Sequence, residues 1–173
     1  MQNIDEFFAQ AQPFVALFDA FVEKHRLFTR VEPDHICYKC GSRESFEQAR
    51  NLFEREGANF WSSRISGRTI SYVVLPRGGL VSQFGLIKYL ELADQKPDGT
   101  QHDGFDHIEA YPLGWRYEQM IERLSETERV VEVERPHHST HDIDIGEGFL
   151  FRATREPLIE KIVREEILPR PAI

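Results

Sequence analysis

The chain has 173 residues, 40% of them hydrophobic and 29% charged, and a formal net charge of −8. That composition is ordinary for one compact globular unit. Its acidic balance, with no lysine- or arginine-rich run, argues against nucleic-acid and membrane-surface partners. No stretch approaches the roughly 18–20 apolar residues needed to cross a bilayer. The start, Met1-Gln2-Asn3-Ile4-Asp5-Glu6-Phe7, lacks the basic and apolar blocks of a signal peptide. With only Cys37 and Cys40 available, no disulfide framework is expected, and a cytoplasmic location is predicted.

In chain order, residues 3–26 carry a helical apolar stripe. Ile4, Phe7, Phe8 and Ala11 lead into Phe14, Leu17, Phe18, Phe21 and Val22, in one or two helices with Pro13 suited to a first turn. This reads as a helical cap, or else as an oligomer contact, since so wide a stripe must be covered. A strand over 34–40 follows, then a helix capped by Ser42 and ended by Gly57. Strands are predicted over 59–65, 68–75 and 85–93, the first two joined by a turn at Ser66-Gly67.

After a polar linker over 94–104 the order restarts. A strand over 106–111 leads to a helix over 115–124, and strands over 130–133, 142–145 and 149–153 follow. A last helix is predicted over 156–167. Asp34-His35-Ile36 recurs as Asp106-His107-Ile108, and Phe46-Glu47-Gln48 is echoed by Tyr117-Glu118-Gln119. The predicted fold is α+β: two βαβββ modules form a curved, barrel-like mixed sheet around a cavity, under an N-terminal helical cap. As a domain plan, 1–173 is a single unit, with an extension over 1–32, a first module over 33–96 and a second over 97–168 closed by the last helix.

Strand alternation sorts the side chains. Ile36 and Tyr38 share one face, and His35, Cys37 and Lys39 take the other. Ile108 and Ala110 oppose His107, Glu109 and Tyr111, and Leu90 and Leu92 oppose Glu91. The polar face suits a concave cavity. Two histidines and a carboxylate, His35, Glu91 and His107, can form a facial triad for a divalent ion such as Zn, Fe(II), Ni or Mn, with positions left open. Glu109 is placed as the general base, with Asp142 and Asp144 as other carboxylates in reach. Arg68 and Arg152 are candidates to bind an anionic substrate. By alternation Asp34 and Asp106 point away from the histidines, as structural residues.

Other motifs carry less. Cys37-Tyr38-Lys39-Cys40 falls on a strand, which sends the two thiols to opposite faces, Cys37 toward the cavity. His137-His138-Ser139-Thr140-His141 has a metal-like composition but the setting of a solvated loop. His102 is read as a rim or turn residue.

The paired modules, with His on each first strand and Glu91 on the fourth, resemble the vicinal oxygen chelate superfamily, which includes glyoxalases, extradiol dioxygenases and bleomycin-resistance proteins. Asp34-His35-Ile36, Gly67-Arg68, Leu90-Glu91-Leu92 and His102-Asp103-Gly104-Phe105-Asp106-His107-Ile108-Glu109 resemble more narrowly its YecM-like branch. The resemblance implies two modules enclosing a metal pocket, with His35, Glu91 and His107 at metal-ligand positions. It departs on the last strand, where a second Glu is usual and this chain has Phe and Arg. The expected function is a metal-dependent enzyme (dioxygenase, isomerase or lyase) acting on a small oxygen-bearing molecule, as a monomer or homodimer. The alternative is a non-catalytic protein holding a small ligand in the same cavity.

Overall fold

A computed structural model describes residues 1–134 and 139–158. Helix α1 (Ile4–Lys24) starts at Asn3, whose side chain accepts from Glu6 N. It is one helix and runs through Pro13. An interior proline costs about 3 kcal/mol. The burial of Ile4, Phe7, Ala11, Val15, Phe18 and Phe21 on one face offsets it.

Strand β1 (Val31–Lys39) leads to α2 (Arg43–Arg55), whose Ser42 and Ser45 form a capping box. Strands β2 (Phe60–Ile65) and β3 (Arg68–Val74) follow. The strand expected over 85–93 is two strands. β4 (Leu80–Ser82) and β5 (Gly85–Ile87) form a separate hairpin, and β6 (Tyr89–Ala93) alone joins the main sheet. The break falls at Lys88, whose carbonyl accepts from Leu75 N. Two glycines seat the hairpin. A Cβ on Gly79, at φ +103°, would lie 2.4 Å from Ile87 O, and one on Gly85 would lie 2.8 Å from Pro33 Cδ.

The second module is β7 (Gly104–Pro112), α3 (Tyr117–Ser125), β8 (Val131–Glu134), β9 (Ser139–Gly146) and β10 (Phe149–Ala153). The helix expected over 156–167 lies almost wholly outside the described residues, as do His137 and His138.

The main sheet has the order β2-β3-β6-β1-β7-β10-β9-β8. It is mixed and curved, and it does not close into a barrel. Its centre is the antiparallel pair β1 and β7; outside it, β6 runs parallel to β1 and β10 parallel to β7. Each module therefore repeats the other about the β1–β7 seam.

The helices cover one face. Phe7 packs on Phe53 and Phe105, Phe14 on Phe105 and Phe149, and Phe18 and Phe21 on Phe151. The apolar stripe of α1 is thus covered by the chain's own sheet, which removes the reason to assign it to an oligomer contact. Among the described residues, no helix is long and apolar enough to cross a membrane.

Candidate metal centre

Side chains directly opposed on paired strands share a face. One row across the face opposite the helices reads Tyr89, His35, Glu109, Arg152, Asp142, from β6 to β9. The next reads Tyr72, Glu91, Cys37, His107, from β3 to β7. Residues from strands far apart in sequence thus converge on one polar patch. His35 and His107 are buried, with ring centroids 5.7 Å apart.

Two bulges shape it. Pro33 pairs with Ala110 and His35 with Glu109, so Asp34 is the extra residue in β1. Cys37 pairs with His107 and Tyr38 with Phe105, so Asp106 is the extra residue in β7. An extra residue breaks the alternation. Alternation had sent both aspartates away from the histidines; instead each turns to the imidazole that follows it. Asp34 Oδ2 lies 2.9 Å from His35 Nδ1, and Asp106 Oδ2 lies 2.8 Å from His107 Nδ1. Lys39 pairs with Asp106, and Leu158 N donates to Asp34 Oδ2.

With Nδ1 of each ring tied to a carboxylate, Nε2 is the atom left for the site. His35 Nε2 is buried and has no hydrogen-bond partner among the described residues. It lies 3.8 Å from Glu91 Oε2 and 3.9 Å from Glu109 Oε2. Glu109 Oε1 is likewise buried and unpartnered among them. Donor atoms around one ion at about 2.1 Å stand roughly 3.0–4.2 Å from one another, so these separations match a shared ion.

Two overlapping groups could hold one: His35, His107 and Glu109, and Cys37, Glu91 and His107, each with donor atoms within 4.8 Å of one another. The expected ligands His35, Glu91 and His107 are thus divided between groups that share His107. Glu109, expected as a base, joins the first, and Cys37 Sγ lies 3.4 Å from Glu91 Oε1.

The site's charges follow from its packing. Burial works against a proton on His35, but Glu109, Asp34 and Glu91 outweigh it and raise the imidazole to about 9. Burial, then Arg152, push His107 down to about 3. Burial lifts Glu109 to about 7, against the pull of His35 and Arg152. Burial also drives the Cys37 thiol well above its ordinary value, which makes it a poor nucleophile at neutral pH.

The remaining candidates separate. Arg152 is at the site: its Nε and Nη2 each bond Asp142 at 2.8 Å, and its Nη1 lies 2.7 Å from His107 Nε2. Arg68 shares the face of Tyr72 but lies four residues along β3, about 13 Å away at 3.3 Å per residue. It bonds Asp94 O and the Gln101 side chain, so it clasps the linker and does not join the cluster. Asp144 accepts from Gly146 N at an exposed turn, His102 is exposed, and His141 Nδ1 bonds the Tyr117 hydroxyl at 2.7 Å.

Tyr72 went unnoticed in the sequence. It is 3% exposed, opposite Glu91, and its hydroxyl makes no hydrogen bond among the described residues. Alternation would have placed it there, had the register of β3 against β6 been legible. A cleft of about 80 Å³, with Pro33, Lys88, Tyr89, Tyr111 and Pro157 in its walls, reaches Asp34 from outside.

Together these features define a two-module α+β protein in which the sheet face opposite the helices gathers buried imidazoles and carboxylates able to hold a metal ion. The model of the YecM protein family matches residues 3–145, and the chain belongs to that family. A solved structure described as "Structural Genomics, Protein EC4020" covers 94% of each chain at a TM-score of 0.68 and 21% identity, which shows a shared fold. No curated protein matches.

Proposed function

We propose that this chain is a divalent-metal enzyme of the vicinal oxygen chelate type, acting on a small oxygen-bearing molecule. The ion, Zn, Fe(II), Ni or Mn, is held by His35, His107 and Glu109, with Glu91 as a further donor. One observation carries this reading: His35 Nε2 is buried without a hydrogen-bond partner among the described residues and faces two carboxylates. The aspartates behind both rings support it, since metal-binding histidines commonly donate their other nitrogen to a carboxylate. A bound divalent ion supplies Lewis acidity toward a ligand oxygen. As a donor to the ion Glu109 gives up the proton that burial holds on its carboxyl to about 7 in the ion-free site.

Metal analysis of protein purified without chelator, followed by Zn(II) and Co(II) titration, tests the reading. One ion per chain is expected, and its loss in His35→Ala and His107→Ala with the fold retained. The absence of binding at micromolar ion would overturn it.

A second reading has its own support. Nε2 of His107 is already satisfied by Arg152, so that half of the site is complete without an ion. On that reading the face holds a small ligand and performs no reaction. Ligand binding that survives chelation and both histidine substitutions would favour it.

A further inference from the structure

Arg152 stands where Glu91 stands in the other module. On β6, Glu91 lies opposite Cys37, two residues after His35; on β10, Arg152 lies opposite Glu109, two residues after His107. The sets His35, Cys37, Glu91 and His107, Glu109, Arg152 therefore occupy equivalent places. The first module presents a carboxylate at the position where the second presents a guanidinium.

That guanidinium is 7% exposed, and Asp142 fixes its plane through Nε and Nη2. Nη1 lies 2.7 Å from His107 Nε2 and 2.9 Å from its Nδ1; with Nδ1–H given to Asp106 only Nε2 can accept, so three of the five N–H groups are committed and two are not among the described residues. Asp142 sets the orientation and cannot use those two. A buried guanidinium with spare donors is suited to pair a carboxylate.

Its place next to His107 adds a consequence. Nε2 of a neutral imidazole has one lone pair, which cannot both accept from Nη1 and ligate an ion. A cationic group 2.7 Å away also repels an incoming cation. A carboxylate on Arg152 neutralises that charge and draws Nη1 off the ring.

We infer that Arg152 anchors a carboxylate of the bound molecule, and that this carboxylate and a divalent cation bind with mutual enhancement through His107. The cation half rests on the metal reading above; the anion half rests on Arg152 alone. Linkage requires each partner to strengthen the other by the same factor.

The test titrates the full-length protein with Co(II), followed by its absorption spectrum, with and without excess propionate. Propionate should tighten Co(II) binding by roughly five- to hundredfold, and Co(II) should tighten propionate equally. Arg152→Gln should abolish the propionate effect and leave Co(II) affinity alone unchanged or higher, because a competitor for His107 is gone. A merely structural Arg152 would instead lower both. Arg152→Gln with Asp142→Asn, which removes the acid's charge together with the guanidinium's, and Arg152→Lys, which keeps the charge, guard against simple misfolding.

Propionate that enhances Co(II) binding equally in wild type and Arg152→Gln would sink the inference, as would no enhancement in wild type; either leaves the metal reading intact while Co(II) binding still depends on His35. If wild type binds no Co(II), the metal reading fails. Calorimetry of propionate on ion-free protein then decides the anion half: binding that requires Arg152 upholds it, and no binding overturns it.

Discussion

Asp34 Oδ2 accepts from His35 Nδ1 at 2.9 Å because Asp34 is the extra residue of a bulge and is released from strand alternation. Asp106 does the same for His107 from the opposite strand. Each carboxylate fixes the tautomer of its ring and raises the basicity of Nε2. Asp34→Asn and Asp106→Asn should therefore each weaken Zn(II) binding by about ten- to hundredfold, with circular dichroism unchanged. Zn(II) affinity equal to wild type in both variants would mean that the pairs only support the fold.

Ion binding should tighten with pH, and the shifts fix where. An ion must displace the proton of His35, held to about 9, and that of Glu109, held to about 7. Affinity should rise by roughly a hundredfold per pH unit below 7, where two protons leave, and about tenfold per unit from 7 to 9. Above that the dependence flattens. His107, already neutral below pH 6, adds nothing in this window. Zn(II) dissociation constants in non-chelating buffers over this range check it; a flat profile would remove His35 from the ligand set.

The same shifts predict the stability of ion-free protein. Both groups have folded values above their unfolded ones. Stabilisation by Glu109 is full below its unfolded value of about 4.5 and lost as pH passes about 7; that by His35 is full below about 6.5 and lost through about 9. These two groups together make the ion-free protein less stable from pH 5 to 9. Saturating Zn(II) should reverse that slope in denaturant melts, since it binds the folded state alone.

Much of this was legible because alternation and repetition are local. The repeated Asp-His-Ile located both first strands, and counting by twos put His35, Cys37, His107 and Glu109 on one face. The bulges were only faintly legible: Pro33 beside Asp34 is a residue that a central strand tolerates at a bulge, but the sequence does not show that β1 is central, and Asp106 has no such neighbour. They appear only when β1 is laid against β7. The β4–β5 hairpin was missed for a related reason. Gly85 to Ala93 reads as one apolar run, and the break shows only where Lys88 O accepts from Leu75 N and Gly79 lies close against Ile87.

Arg68 shows the limit of charge-based assignment. Its guanidinium bonds Asp94 O, and Gln101, which it also bonds, ties Cys40 O and Asp94 O to the linker. Arg68→Ala leaves these groups short of a charged donor, at a cost of about 1–3 kcal/mol. A lower unfolding midpoint with unchanged Zn(II) and propionate affinity is expected. Propionate binding that fell with stability unaltered would return Arg68 to the ligand.

Tyr72 offers the most specific remaining test. A buried tyrosine hydroxyl normally finds a partner, and losing that bond costs roughly 0.5–1.5 kcal/mol. Tyr72 is 3% exposed as a residue, but its hydroxyl is not one of the sealed, unpartnered atoms of the site, as His35 Nε2 and Glu109 Oε1 are. Burial, then Glu91, Glu109 and Cys37, push the phenol well above its ordinary value, so it stays a donor across the physiological range. Tyr72→Phe should leave the unfolding free energy within about 0.5 kcal/mol of wild type, because no bond to the described residues is lost. Cross-strand contact with Trp61 on β2 survives the substitution, since the ring is kept. A destabilisation above about 1 kcal/mol would show that the hydroxyl is bonded in the folded protein and is not held ready for a ligand.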